Sequence, residues 1–98
     1  MSIVVRFTST GLTAEKYAEI KKRLADAGAG APAGRQYHVC FGEPNNLRVS
    51  DIWDSQESFE TFGQTLTPIL EDLGVQGDME FFTVHNIIEG TKAAGTAS

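Results

Sequence analysis

Two apolar stripes of helical period, each flanked by runs rich in β-branched and aromatic residues, constrain this chain more than any other feature. Tyr17, Ile20, Leu24 and Ala27 recur every three or four residues, and so do Phe59, Phe62, Leu66, Ile69, Leu70 and Leu73. Ahead of the first stripe, Ile3 to Thr8 reads as a strand that ends at a Ser-Thr-Gly turn. Between the stripes, Arg35 to Gly42 alternates, with Tyr37, Val39 and Phe41 on one side. Glu43-Pro44-Asn45-Asn46 is turn chemistry, and Leu47 to Trp53 supplies a third strand. Glu80 to Ile88 reads as the fourth. The order is βαββαβ.

The helix ends carry their own signals. Thr13 is placed to accept a bond from an orphaned N–H of the first turn, with Leu12 and Tyr17 spaced as a hydrophobic staple. Gly28 closes that helix, and Ala29 to Gly34 is a loop of small residues. Asp54 or Ser55 caps the second helix, with Glu57 completing a capping box if Asp54 is the cap. Pro68 predicts a kink, or a restart with Thr67 as a new cap, before Gly74 ends the helix. Residues 1–89 form a single domain on this reading. Gly90 to Ser98, with no aromatic or branched aliphatic side chain, is expected to be a flexible tail whose deletion scarcely alters stability.

The element order predicts an α+β, ferredoxin-like domain: a four-stranded antiparallel sheet with two helices on one face. The opposite face is then bare, and Tyr37, Val39, Phe41 and Ile52 lie on it. Such a patch marks an interface, and pairing two sheets back to back by two-fold symmetry covers it. The expectation is a homodimer, closing into a dimeric α/β barrel.

Composition excludes several classes. With 41% hydrophobic and 21% charged residues the chain is ordinarily globular. Its longest mostly apolar stretch, Phe81 to Ile88, is broken by Thr83, His85 and Asn86, so no membrane span is expected. Met1 to Arg6 lacks the features of a signal peptide, and the single Cys40 cannot form an internal disulfide. Both place the chain in the cytoplasm. A net charge of −5 repels phosphate backbones, so nucleic acid is not an expected partner. The run Lys21-Lys22-Arg23 is read as the solvated outer face of the first helix.

The hairpin register singles out the residues that could carry chemistry. If 43–46 is the loop, Gly42 faces Leu47 and His38 faces Asp51, with Gln36, His38, Cys40, Val49, Asp51 and Trp53 on one side. A two-residue loop would shift the partners but keep the faces, and a three-residue loop would break the match. Opposed residues have Cβ atoms about 5 Å apart, close enough for a His–Asp hydrogen bond. That pair is either a general base with its orienting carboxylate or a polar pair that only stabilises the hairpin. His38-x-Cys40 could find only Asp51 and the distant His85 to complete a metal site, so no metal is expected. Nothing activates Cys40 as a nucleophile except His38 nearby. Trp53 either anchors the core or offers an aromatic wall to a ligand. In the fourth strand, His85 and Asn86 must point to opposite faces. No phosphate loop, G-x-S-x-G elbow or nicotinamide fingerprint is present, and no cofactor is expected.

The run Asp51-Ile52-Trp53-Asp54-Ser55-Gln56-Glu57-Ser58-Phe59-Glu60-Thr61-Phe62, following a His-bearing strand, resembles the strand–helix junction of antibiotic-biosynthesis-monooxygenase-like proteins. The layout agrees from Ile3 to Ile88. The resemblance implies a small dimeric α/β barrel with a ligand pocket between sheet and helices, where Tyr17, Gln36, Cys40, Trp53 and Phe62 would meet a small organic ligand. Trp53 corresponds to the pocket tryptophan of the haem-degrading branch. That branch also uses an asparagine on the first strand and a histidine on the second helix, and this chain has neither. A cofactor-independent oxygenase acting on an aromatic or polyketide-like substrate stays open, with His38 as base and Asp51 as its orienter. The alternative is a non-catalytic ligand-binding or assembly module. An open cavity beside His38 would favour the first, and a filled core the second.

Overall fold

The computed structural model describes residues 1–91, so the expected tail lies almost wholly outside the described residues. The elements are β1 (Ile3–Thr10), α1 (Ala14–Asp26), β2 (Arg35–Glu43), β3 (Asn46–Trp53), α2 (Gln56–Asp72) and β4 (Gln76–Thr83). The strands form one antiparallel sheet in the order β2-β3-β1-β4. This is the ferredoxin-like α+β arrangement that the element order predicts. No described helix is long and apolar enough to cross a membrane.

Local chemistry explains the ends of the helices. Thr13 Oγ1 accepts a hydrogen bond from the Lys16 N–H at 3.1 Å, and Leu12 beside it is fully buried. Ser55, not Asp54, caps α2 by accepting from the Ser58 N–H at 3.1 Å. The third helical residue is then Ser58 rather than Glu57, so no capping box forms. Pro68 sits inside α2 without ending it, and Thr67 does not act as a second cap. The lost N–H is one bond in a long helix, and Ile69, Leu70 and Leu73 beyond it still pack against the core.

Tertiary pairing moved the fourth strand. Each of the eight residues of β1 has a partner in β4, from Ile3 opposite Thr83 to Thr10 opposite Gln76. The last rung is a bond from Val84 N–H to the Ser2 carbonyl at 2.9 Å. Beyond it β1 offers nothing to pair with, so the apolar run through Ile88 is not strand. His85 and Asn86 consequently lie past the strand, both exposed, rather than on its two faces. At the other end Gly77 lets the strands meet, because a side chain there would run into the Thr8 carbonyl oxygen.

The core lies between the helices and one face of the sheet. Val5, Leu12, Ile20, Leu24, Trp53, Phe59, Phe62 and Val75 are its buried members. Trp53 meets Phe59 edge-on with ring centroids 5.6 Å apart, and Phe62 at 5.2 Å. In the second half of α2 the apolar stripe is only half-buried at Leu66, Ile69, Leu70 and Leu73. On the helix-free face, Tyr37, Ile52, Val4 and Phe82 form one row across all strands. Tyr37 is 60% exposed and Phe82 47%.

The turn into β2 depends on Gly34. Its φ of +90° is left-handed, and a Cβ there would come within 2.6 Å of Asp54 Oδ1 and of Ser58 Cβ. Gly28 has a φ of +77° but open space around it. Gly34→Ala should therefore cost on the order of 1–3 kcal/mol, and Gly28→Ala distinctly less. Thermal melts check the ranking, since a domain of this size loses about 4–8 °C per kcal/mol. Equal losses would mean that the Asp54 and Ser58 contacts impose no constraint.

Candidate functional site

A hydrogen-bonded chain crosses from α1 to the β2–β3 hairpin. His38 and Asp51 face each other in the ladder, as the hairpin register predicts, with Nδ1 and Oδ1 2.6 Å apart. Tyr17, reaching down from α1, places Oη 2.7 Å from His38 Nε2. Trp53 N–H donates to the second oxygen of Asp51 at 3.3 Å. Asp51 is a buried carboxylate with an exposure of only 6%, so it needs donors at both oxygens. It has them.

For a neutral His38 these contacts fix the tautomer. A carboxylate only accepts, so a neutral His38 carries its proton on Nδ1 and donates to Asp51. Nε2 is then the acceptor, and Tyr17 donates to it. Burial pushes the Tyr17 phenol above its ordinary value, with nearby Cys40 and Asp51 adding to the rise and Arg35 opposing it. The phenol therefore stays a donor at neutral pH. Its ring is parallel to the imidazole within 2°, with centroids 6.0 Å apart, too far for face-to-face stacking. Contact runs edge to edge, through the hydroxyl.

The chain opens on a cavity of about 270 Å³ between the sheet and the helices. Val5, Phe7, Leu66, Leu70 and Met79 are among its apolar walls, and Tyr17, His38 and Asp51 its polar patch. Of the half-buried stripe of α2, Leu66 and Leu70 face this space. Of the residues expected around a ligand, Tyr17 and Phe62 line the cavity. Three do not: Trp53, Gln36 and Cys40. Trp53 has no exposure and stands behind Asp51, packed on Phe59 and Phe62, so it anchors the core and does not form a wall. Gln36 is the extra residue of a β-bulge between Arg35 and Tyr37, and accepts from Ser2 Oγ at 3.0 Å on the surface. The Cys40 thiol is raised by burial, the opposite of nucleophile activation. Among the described residues no group of His, Cys, Asp and Glu could hold a metal ion.

Two cations reach the cavity that the strand and helix patterns did not point to. The bulge re-aims Arg35, which pairs with Trp53 and sets its guanidinium 5.8 Å from the Phe62 ring centroid. Alternation alone cannot reveal a bulge. Lys21 follows Tyr17 by one helical turn, and its Nζ lies 5.7 Å from the Tyr17 ring centroid. It lines the cavity instead of belonging wholly to the outer face. Arg23 does face outward, bridging Glu19 at 2.8 Å and Asp72 at 2.5 Å.

The donor pattern can be checked through Asp51→Asn. An amide has one acceptor where Asp51 has two, so if its oxygen keeps the Trp53 bond its NH2 must face His38 Nδ1. The imidazole should then move its proton to Nε2, with a stability loss on the order of 1–3 kcal/mol. Nitrogen-15 NMR of the ring reads the tautomer directly. A folded variant that stays Nδ1-protonated, with Trp53 N–H still bonded, would contradict the assignment.

The sequence matches no protein-family model and no curated protein. Solved structures do match. SnoaB, a cofactor-independent oxygenase from Streptomyces nogalater, is 20% identical, with a TM-score of 0.58 over 91% of this chain and 96% of that one. A candidate antibiotic biosynthesis monooxygenase from Deinococcus radiodurans is 14% identical, with a TM-score of 0.59 over 94% of this chain and 100% of that one. A conserved protein from Methanosarcina mazei Go1 is 14% identical, with a TM-score of 0.60 over 84% and 91%. At such identities the likeness is one of fold: the chain is built as antibiotic-biosynthesis-monooxygenase-like structures are.

Proposed function

We propose that the cavity is the active site of a cofactor-independent monooxygenase acting on a small aromatic or polyketide-like compound. The observation that carries this reading is the Tyr17–His38–Asp51 chain ending in an apolar cavity. His38 is the base, and Asp51 holds its tautomer and stabilises the imidazolium that forms. An activated ring methylene loses a proton to the site, and the resulting carbanion reacts with dioxygen. The hydroperoxide so formed loses water and leaves a carbonyl, so one oxygen atom enters the product and the substrate supplies the electrons. At interior packing density a cavity of 270 Å³ holds a molecule of about 200 Å³, roughly a tricyclic aromatic. Lys21 and Arg35 favour a ligand that becomes anionic. The fold shared with a cofactor-independent oxygenase agrees with this chemistry. The open space beside His38 favours this reading over a non-catalytic ligand-binding or assembly module.

The working unit on this reading is a homodimer. The row Tyr37, Ile52, Val4 and Phe82, with Val39 and Phe41 beside it, leaves apolar surface on the face the helices do not cover. A second copy facing it by two-fold symmetry would bury both patches at once. The single thiol, half-buried, suits a cytoplasmic protein.

Two measurements test these statements. Sedimentation at micromolar concentration should report twice the chain mass, and Ile52→Glu should yield folded monomer. A wild-type monomer would exclude the dimer. With anthrone in air, the protein should form anthraquinone, and His38→Ala should slow this on the order of 100-fold or more. A folded His38→Ala variant as active as its parent would sink His38 as the base.

A further inference from the structure

The reading of the cavity as an active site leaves a difficulty: His38 has no free nitrogen to offer a substrate. Nδ1 is bonded to Asp51 at 2.6 Å and Nε2 to Tyr17 Oη at 2.7 Å. Both partners are fixed by the fold, one on the facing strand and one on α1. Asp51 is likewise occupied, since its two oxygens accept from His38 and Trp53. The acceptor that remains is Tyr17 Oη, whose one proton is directed at Nε2 and whose lone pairs stay uncommitted. Tyr17 lines the cavity. Resting on the active-site reading, we infer that Tyr17 is the catalytic residue that touches the substrate and carries its proton to His38.

The step balances within the chain. The substrate C–H bond breaks and its proton passes to Tyr17 Oη. In the same motion the original Tyr17 proton passes to His38 Nε2. Tyr17 ends as a neutral phenol, His38 as an imidazolium beside the Asp51 carboxylate, and the substrate as a carbanion. No tyrosinate forms, which suits a phenol that burial keeps protonated. The new carbanion shares the cavity with half-buried Arg35 and with Lys21, whose exposure to solvent weakens its pull, so Arg35 is the nearer to a low-dielectric partner. Tyr17 thus works as a hydroxyl bridge, and the edge-to-edge arrangement of the two rings serves that transfer.

Deuterium uptake into the methylene of anthrone under nitrogen isolates this step, because no oxygen chemistry follows it. Wild-type protein in D2O should exchange the methylene well above the buffer rate. Tyr17→Phe should bind anthrone as the parent does, melt near it, and exchange on the order of 100-fold more slowly, as slowly as His38→Ala. Rapid exchange by Tyr17→Phe alongside slow exchange by His38→Ala would overturn the role of Tyr17 and leave His38 as a direct base. No exchange by the wild type would overturn both. Should Tyr17→Phe fail to fold, wild-type exchange in H2O–D2O mixtures decides: a bowed proton inventory reports more than one proton in flight and supports the bridge, and a straight one overturns it.

Discussion

The buried carboxylate of Asp51 is the interaction on which the rest of the structure turns. A charge at 6% exposure is tolerated only when its oxygens are matched by donors, because desolvation otherwise costs several kcal/mol. One donor is His38 from the neighbouring strand, and the other is Trp53 from its own. Each donor is held elsewhere. His38 is bonded to Tyr17 on α1, and the Trp53 ring is packed against Phe59 and Phe62 on α2. Both helices are thereby tied to the hairpin through one side chain, and removing it would loosen the site and the core together.

Polar satisfaction and open space coexist here for a geometric reason. The aromatic cluster under the start of α2 holds that end of the helix close to the sheet. Further along, Leu66 and Leu70 stand off from Val5, Phe7 and Met79, and the gap between them is the cavity. A small domain buries a modest fraction of its surface, so an unfilled cavity of this volume is a real cost to stability. Cavity creation is among the larger destabilising mechanisms known. Its retention beside a fully bonded polar chain fits a site that a ligand fills.

Much of this was legible in the residues. Helical stripes, cap residues and turn chemistry are local signals, and they placed five of the six elements to within a few residues. The pairing of His38 with Asp51 follows from a hairpin, where the turn sets the register and distance along the chain sets who meets whom. That is why the one candidate pair drawn from spacing is the pair the fold brings together.

Contacts between elements far apart in sequence were decided only by the tertiary structure. Fourth-strand register depends on where β1 begins and ends, which an apolar run cannot report. The bulge at Gln36 exchanges that residue for Arg35 at the cavity, and a period of two carries no mark of it. Of the two roles open to Trp53, core anchor or ligand wall, packing selects the first, because its N–H is needed by Asp51 and its ring by two phenylalanines. The periodicity gives Tyr17 as a stripe position and the family resemblance puts it at the pocket, but only the crossing of α1 over the hairpin sets its hydroxyl on His38. Local pattern dictates which elements form and which face each buries. The chemistry of the site arises where those faces meet, and that depends on packing distances no single segment encodes.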